Sequence, residues 1–506
     1  MALPFCPQLP NSALHVPPLP GASDPTRLYR FLRAVVRTML HLFFREVAAV
    51  GTHHVPLDRG GLLVAGHPNG VIDPAVILSR FPGRLVFGAR DGLLKWAVVG
   101  PLMRGLGTVP IYRAVDHGGA EGGGPAGEAA RREANERSLD ALAAEAASGS
   151  FTALFPEGQS HDLAHLTEIR SGAARLYARA LVLAAEAGRP APALLPVGLH
   201  YDAKATFRSR ALVAFHRPLA VPDALQARLA GSPEAAETRA AVQELTDLIE
   251  HALHRATFAA DDWDLVRTMH RARTLIRAED AVRTDARVAP ETAEGRALGM
   301  AQIWTGYRAR IASHPAEIAA LRRDVDAYDR GLRALGMDDA DLDRPPRVSG
   351  ALGLVLAGLA LLPVAAVGFV VNGPPHRLLR ALAPRFARAE KDTATVKLFG
   401  GLVLYPVAWL IAGTVAAFAR AHWGGLPVLS VRPLATGALA VGLSAVGAAA
   451  ALWASEQADG ARRALRVRLT RDRRRAAVAR LLAARAELHD RFLALMPGLD
   501  LPETLA

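Results

Sequence analysis

The 506-residue chain has a single cysteine, Cys6. With no partner for an intrachain disulfide and no second thiolate for a metal cage, a disulfide-stapled secreted scaffold is excluded and a reducing compartment fits. Residues 1–26 lack the basic start, apolar core and small-residue cleavage site of a secretory signal. They are Pro-rich without apolar periodicity and are expected to form a mobile leader, with synthesis beginning and staying in the cytoplasm. No GxSxG elbow occurs, and the Gly-rich stretch "DHGGAEGGGPAGE" lacks both a preceding strand and a GK[ST] ending, so it is no phosphate cradle and reads as a flexible surface loop. Ser160, His161 and Asp162 spell a hydrolase triad, but consecutive residues on one turn cannot form the relay. Basic residues are not interleaved with aromatics, which removes a nucleic-acid module.

Hydrophobic residues make up 51% and charged residues 21%, so a packed core is expected, and the length suggests two to four units. Lys+Arg number 60 against 48 Asp+Glu, a formal net charge of +12. Nearly all of the cations are Arg and Ala is abundant, a pairing that GC-rich coding produces by itself. The distribution of the charge points to an anionic membrane surface.

From Arg27 to Glu46, apolar residues at Leu28, Phe31, Leu32, Val35, Met39, Leu42 and Phe43 mark one helical face beside Arg27, Arg30, Arg33, Arg37 and Arg45. The spacing predicts a basic amphipathic helix over 27–49, lying in a lipid interface or packed on its own domain. Over 50–222 the runs "GLLVAG", "RLVFGA", "FTALFPEG", "APALLPVGLHYDA" and "ALVAFHRPL" alternate with helical patterns, predicting an α/β domain with a mixed sheet flanked by helices. Residues 223–345 read as helical, broken at "GSPE", "VAPE" and "SHPAE". Three apolar segments, 351–371, 398–418 and 434–454, have the length and composition of bilayer spans within a membrane part over 346–456. Residues 457–506 read as an Arg-rich cytoplasmic tail helix.

His67 stands directly after the run "LLVAG", in "GHPNGVIDPAVIL", with Asp73 at the start of a helix. A histidine acting as a base needs a carboxylate to hold one tautomer, and Asp73 can reach back to it. Downstream, Arg113 in "GTVPIYR" offers a planar fork for a phosphate. In "FPEGQS", Glu157 can accept from substrate hydroxyls or fix Arg113, while Gly158 lets backbone approach a ligand. Arg170 precedes a small-residue helix start, a second anion contact. His161 and His165 have metal-ligand spacing without an evident third ligand, which favours a supporting or solvated role, and His53 and His54 read as loop residues.

In this order the segments resemble the glycerolipid acyltransferase family, which includes glycerol-phosphate and lysophosphatidic acid acyltransferases. His67 and Asp73 match its His/Asp motif, "GTVPIYR" its Arg motif, "FPEGQS" its Pro-Glu-Gly motif and "LLPVGLHY" its later strand motif, over roughly residues 50–220. Five residues separate His67 from Asp73 where the family's usual spacing is four, a pattern similar to that of the membrane-bound glycerol-phosphate acyltransferase subgroup. The resemblance implies an O-acyltransferase of phospholipid synthesis, with His67 and Asp73 catalytic and Arg113, Glu157, Gly158, Asn69, Ser160 and Arg170 at the substrate. It implies no metal and no resident cofactor. Acyl-CoA or acyl carrier protein would donate to glycerol 3-phosphate or its acylated product at a cytoplasmic membrane. The other reading is a catalytically inactive, membrane-bound lipid-binding scaffold or transporter-associated domain.

The loop between the first two apolar segments carries Arg377, Arg380, Arg385, Arg388, Lys391 and Lys397, against only Arg420 and Arg432 between the second and third. The positive-inside rule therefore predicts that 351–371, which contains Pro363, dips in and returns on the same face while the other two segments cross.

Overall fold

The computed structural model describes residues 25–96, 99–112, 125–232, 235–258, 260, 262–285, 291–343, 351–386 and 390–503. The α/β part comprises α1 (Arg27–Phe43), β1 (Glu46–Val50), β2 (Gly61–Ala65), α2 (Ile72–Arg80), β3 (Leu85–Arg90), α3 (Asp91–Leu94), α4 (Val99–Gly105), β4 (Val109–Ile111), α5 (Pro125–Ala147), β5 (Phe151–Leu154), α6 (Gly172–Glu186), β6 (Ala193–Tyr201) and β7 (Arg210–Phe215). A helical region follows: α7 (Asp223–Leu229), α8 (Ala236–Ala256), α9 (Trp263–Arg283), α10 (Ala293–Ile311), α11 (Pro315–Leu335) and α12 (Asp339–Asp343). The chain closes with α13 (Ala351–Phe386), α14 (Glu390–Gly424), α15 (Val431–Arg473) and α16 (Arg475–Leu495).

The five apolar runs become β2, β3, β5, β6 and β7, and the less apolar β1 and β4 join them in a sheet of order β1-β7-β6-β2-β5-β3-β4. Every pairing is parallel except β6 with β7, so the sheet is mixed as expected. Central β2 is buried along its whole length because both faces are covered. Leu63 and Ala65 meet the layer of α1 and α2, while Leu62 and Val64 meet that of α5, α6 and α8.

The N-terminal helix differs from expectation in its end, and of the two expected seats it takes the one on its own domain. It stops at Phe43, because Phe44 is extended (φ −95°, ψ 140°) and Glu46–Val50 pair in register with Arg210–Ala214. Its Tyr29, Val36, Leu40 and Phe43 are buried on the domain, and the Tyr29 hydroxyl donates to Leu85 O (3.0 Å). Leu28, Phe31 and Leu42 remain exposed on the other face. The leader and most of the Gly-rich stretch lie outside the described residues; Pro125–Glu128 of that stretch open α5.

The helical region breaks at the three predicted sites and at two more: between α8 and α9, where Asp262 caps α9 by accepting from Leu265 N (2.6 Å), and between α11 and α12 after Gly336. The tail is helical as expected but divided: α15 runs on through it to Arg473, and α16 folds back on α9 and α11. Val467, Val478 and Leu488 join a core with Leu275, Val325, Tyr328 and Leu332. The apolar positions between the arginines give these helices a face to bury.

Among the described residues, two helical stretches are long and apolar enough to cross a membrane, Thr393–Gly424 in α14 and Val431–Arg473 in α15. They run antiparallel, Gly413 lying against Gly437 and Val441, and expose Leu410, Val415, Leu439 and Val446. The first half of α13 is antiparallel to α15. Gly368 touches Gly447, where a Cβ would stand 2.9 Å from the Gly368 Cα, and Asn372 Nδ2 donates to Ser444 O (3.2 Å). The second half is antiparallel to α14: Trp409 Nε1 donates to Asn372 Oδ1 (2.7 Å) and Leu379 packs on Gly400. A straight helix cannot run antiparallel to two helices that are antiparallel to each other, so α13 bends where its halves meet, at Asn372–Gly373–Pro374–Pro375. Two consecutive prolines remove backbone donors there. The course turns back over 351–386, with residues 376–386 as the return, rather than within 351–371.

Candidate active site

The described residues singled out for the site gather at the carboxyl ends of the parallel strands, where open α/β sheets place ligands. His67 follows β2 by two residues, and Asp73 lies in the first turn of α2 with no solvent exposure. Asp73 Oδ2 accepts from His67 Nδ1 (2.8 Å) and from Asn69 N (2.7 Å), and Oδ1 accepts from the Tyr201 hydroxyl (2.6 Å). Backbone bonds from Ile72 N to Asn69 O and from Asp73 N to Gly70 O close the turn around the carboxylate. The five-residue spacing is thereby wound into a loop that still brings the pair together. Burial and the Asp73 charge push the Tyr201 phenol well above its ordinary range, so it stays a donor. A carboxylate only accepts, so the proton of the His67–Asp73 bond sits on Nδ1 and leaves Nε2 bare. The ring is fixed by stacking on Phe155 (centroids 4.0 Å apart, planes at 14°).

Glu157 takes a different part from the one expected. It is buried, and its Oε1 accepts from His67 N (2.7 Å), while Oε2 accepts from Thr167 N (2.8 Å), Thr167 Oγ1 (3.0 Å) and His161 Nε2. Burial raises its pKa, but the bonds from His161, Thr167 and His67 outweigh that and hold it below the usual carboxylate range. Both oxygens thus serve the chain, clamping the turn after β5 to the turn after β2. Asn69 is likewise internal, being fully buried and donating from Nδ2 to Lys204 O (3.2 Å). His161 braces Glu157, and among the described residues no cluster of three His, Cys, Asp or Glu could hold a metal.

Gly158 and Ser160 line a cleft of about 720 Å³ beside His67. Gly158 has φ +69°, and a Cβ there would stand 3.2–3.3 Å from Arg170 Cδ, Nε and Nη1, so a side chain would be strained and crowded. The cleft is mostly apolar, walled by Leu40 of α1, Leu102 of α4 and Leu398 and Phe399 of α14, with Arg90 at the end of β3. Arg113 lies outside the described residues. The strand leading to it is pinned by reciprocal bonds between Asn135 and the Tyr112 backbone, both 2.8 Å. Sequence reasoning passes over Tyr201 and Phe155 as site residues, although both sit inside the quoted motifs; their polar or aromatic identity at a strand's carboxyl end is the signal that marks them.

Behind His67, His200 stacks on Phe258 (4.4 Å). Burial, with His216 and His270 nearby, depresses the His200 pKa to about 3, and burial with His54 depresses that of His216 to about 4. Both are neutral when folded at pH 7. Below about pH 6.5 the unfolded chain takes up protons that the folded chain refuses, so stability falls as pH falls toward those values. Thermal melts should show a midpoint dropping from pH 7 to pH 4, and His200→Phe should flatten that slope. A slope unchanged in the variant would remove His200 from this role.

A family model described as Acyltransferase matches residues 46–199. The chain is 28% identical over 279 residues to "Glycerol-3-phosphate O-acyltransferase 1" of Saccharomyces cerevisiae, covering 54% of this chain and 35% of that protein. It is 34% identical over 124 residues to "Glycerol-3-phosphate O-acyltransferase 2" of the same yeast, covering 24% and 15%. An uncharacterized acyltransferase of Schizosaccharomyces pombe is 25% identical over 325 residues, covering 49% and 47%. The chain thus spans less than half the length of these relatives. A solved 1-acyl-sn-glycerophosphate acyltransferase from Thermotoga maritima aligns over 45% of this chain and 78% of its own, at 18% identity and a TM-score of 0.30. Residues 46–199 thus match an acyltransferase domain, and the chain is similar over part of its length to glycerolipid acyltransferases.

Proposed function

We propose that the protein transfers an acyl group from an acyl thioester, on coenzyme A or acyl carrier protein, to a hydroxyl of glycerol 3-phosphate or 1-acylglycerol 3-phosphate. The observation that carries this is a histidine held by a buried carboxylate beside an apolar cleft. In this reading Nε2 takes the proton of the acceptor hydroxyl as its oxygen attacks the thioester carbonyl. The tetrahedral adduct then collapses, the C–S bond breaks, and the imidazolium returns the proton to the departing thiolate. Asp73 and Tyr201 stabilise the imidazolium, and the cleft takes the acyl chain. Arg113 is assigned to the acceptor phosphate, and Ser160 and Arg170 to its surroundings. The test pairs each acceptor with each donor on purified protein in phospholipid nanodiscs and follows free thiol. If no pair turns over while lipid is still bound, an inactive lipid-binding scaffold replaces this reading.

The proposed setting is a cytoplasmic membrane that α14 and α15 cross, with α13 entering and returning on the catalytic side. The bend supports that course, because it brings Arg380 of the return close to Lys397 of α14, whose Nζ donates to Ala205 O of the catalytic domain (2.8 Å). Cys6→Ser gives a background for single cysteines at positions 385, 425 and 475. With an impermeant thiol reagent on intact cells, only position 425 should label, and labelling at 385 or 475 would sink the topology.

A further inference from the structure

The connection between β6 and β7, residues 202–209, belongs to none of the sequence motifs, yet it touches nearly every part of the molecule that bears on the site. At its catalytic end Lys204 is nearly buried, its side chain 10% exposed. Its Nζ donates to Pro68 O (3.2 Å) and to Asp162 Oδ1 (2.9 Å) and lies 5.0 Å from the centre of the Trp263 ring. Its carbonyl accepts from Asn69 Nδ2 (3.2 Å). Pro68 and Asn69 are the two residues after His67, and Asn69 N also holds Asp73, so Lys204 grips the turn that aims the imidazole.

At its other end the same loop is held by all three helices assigned above to the membrane. Lys397 of α14 donates from Nζ to Ala205 O (2.8 Å), Phe207 meets His376 of α13 (6.4 Å between rings), and Arg208 Nε pairs with Glu456 of α15 (2.7 Å). Arg208 also donates from its backbone N to Phe43 O (2.7 Å) at the end of α1. Its φ is +64°, one of two positive values at non-glycine residues among the described residues. A long side chain persists in that conformation only where its surroundings fix it, and the four contacts of Arg208 and its neighbours supply the fixing.

We propose that Lys204 is a positioning residue for His67, and that the 202–209 loop makes turnover depend on the seating of α13, α14 and α15. This rests on the acyl-transfer reading above. Lys204 touches no reacting atom; it acts through Pro68 and Asn69. A histidine displaced by a fraction of an ångström would still bind both substrates and would miss the hydroxyl proton.

The test uses the full chain in phospholipid nanodiscs with the donor and acceptor pair that the wild type turns over. Lys204→Met should lower kcat on the order of 10- to 100-fold with both KM values nearly unchanged, and Lys204→Arg should restore much of the loss. Because Lys204→Met can also disturb folding, the membrane end is tested separately by exchanging the partly exposed pair. Arg208→Glu and Glu456→Arg should each lower kcat, and the double variant should recover toward wild type. Wild-type kcat in Lys204→Met, or losses that multiply in the double variant, would overturn the proposal. An inactive wild type would instead overturn the acyl-transfer reading on which it rests.

Discussion

His67→Ala is expected to lower kcat by at least about 100-fold while the protein still folds and inserts. The side chain is 18% exposed and makes one hydrogen bond, to Asp73, so its removal opens little of the core. What disappears is the group that holds the hydroxyl proton in the transition state. Asp73→Asn should lose less, because the imidazole remains stacked on Phe155, but the amide that replaces Oδ2 can no longer accept from both His67 Nδ1 and Asn69 N. Because the two residues act as one unit, the double variant should be hardly worse than His67→Ala alone. The check is single-turnover thiol release by purified protein, with thermal melts as the folding control. Turnover within a few-fold of wild type in His67→Ala would remove the general-base role altogether.

Much of this site is legible in the amino-acid sequence, for reasons that differ by residue. The His67–Asp73 pair can be read because both ends lie on one short stretch, and strand-to-helix turns bring such residues together. Glu157 stands out too, but its work does not. Sequence shows a carboxylate on a turn, whereas its four donors come from His67, His161 and Thr167, up to 90 residues away. Tyr201 reaches Asp73 across 128 residues, a pairing that β6 lying beside β2 creates and that no local pattern encodes. The fold follows the same rule. The long apolar runs read as strands, while β1 ("EVAAV") and β4 ("VPI") are too short and too weakly apolar to stand out from helical surroundings. The return of α13 lies further along than the apolar pattern suggests. Pro363 leaves the helix running, and the turn comes at Pro374 and Pro375, where contacts with α14 take over from those with α15.

The tail shows most plainly what an arginine count conceals, and it carries the second large effect. Arg485 of α16 is 1% exposed. Its Nε donates to Glu279 Oε2 (2.9 Å), Nη1 to Asp339 O (3.0 Å) and Asp343 Oδ2 (2.8 Å), and Nη2 to Asp343 Oδ1 (2.6 Å). Burial alone would draw the guanidinium pKa down, but the pairs with Asp343 and Glu279 outweigh it and raise it. Truncation to alanine strands those carboxylates in a cavity, a change that costs about 3–5 kcal/mol for a buried pair that loses one member. For units of this size that corresponds to a fall in melting midpoint of roughly 10 °C, read in detergent by intrinsic fluorescence. Arg474 and Arg475, which join α15 to α16 and are exposed, should tolerate alanine with almost no shift. The contrast follows from burial alone, since all three are arginines of one Arg-rich segment. A midpoint in Arg485→Ala within a degree or two of wild type would mean that α16 does not brace α9 and α12 as the contacts indicate. Because α9 begins at Trp263, whose ring lies under Lys204, loss of that brace should also reduce turnover below the melting transition.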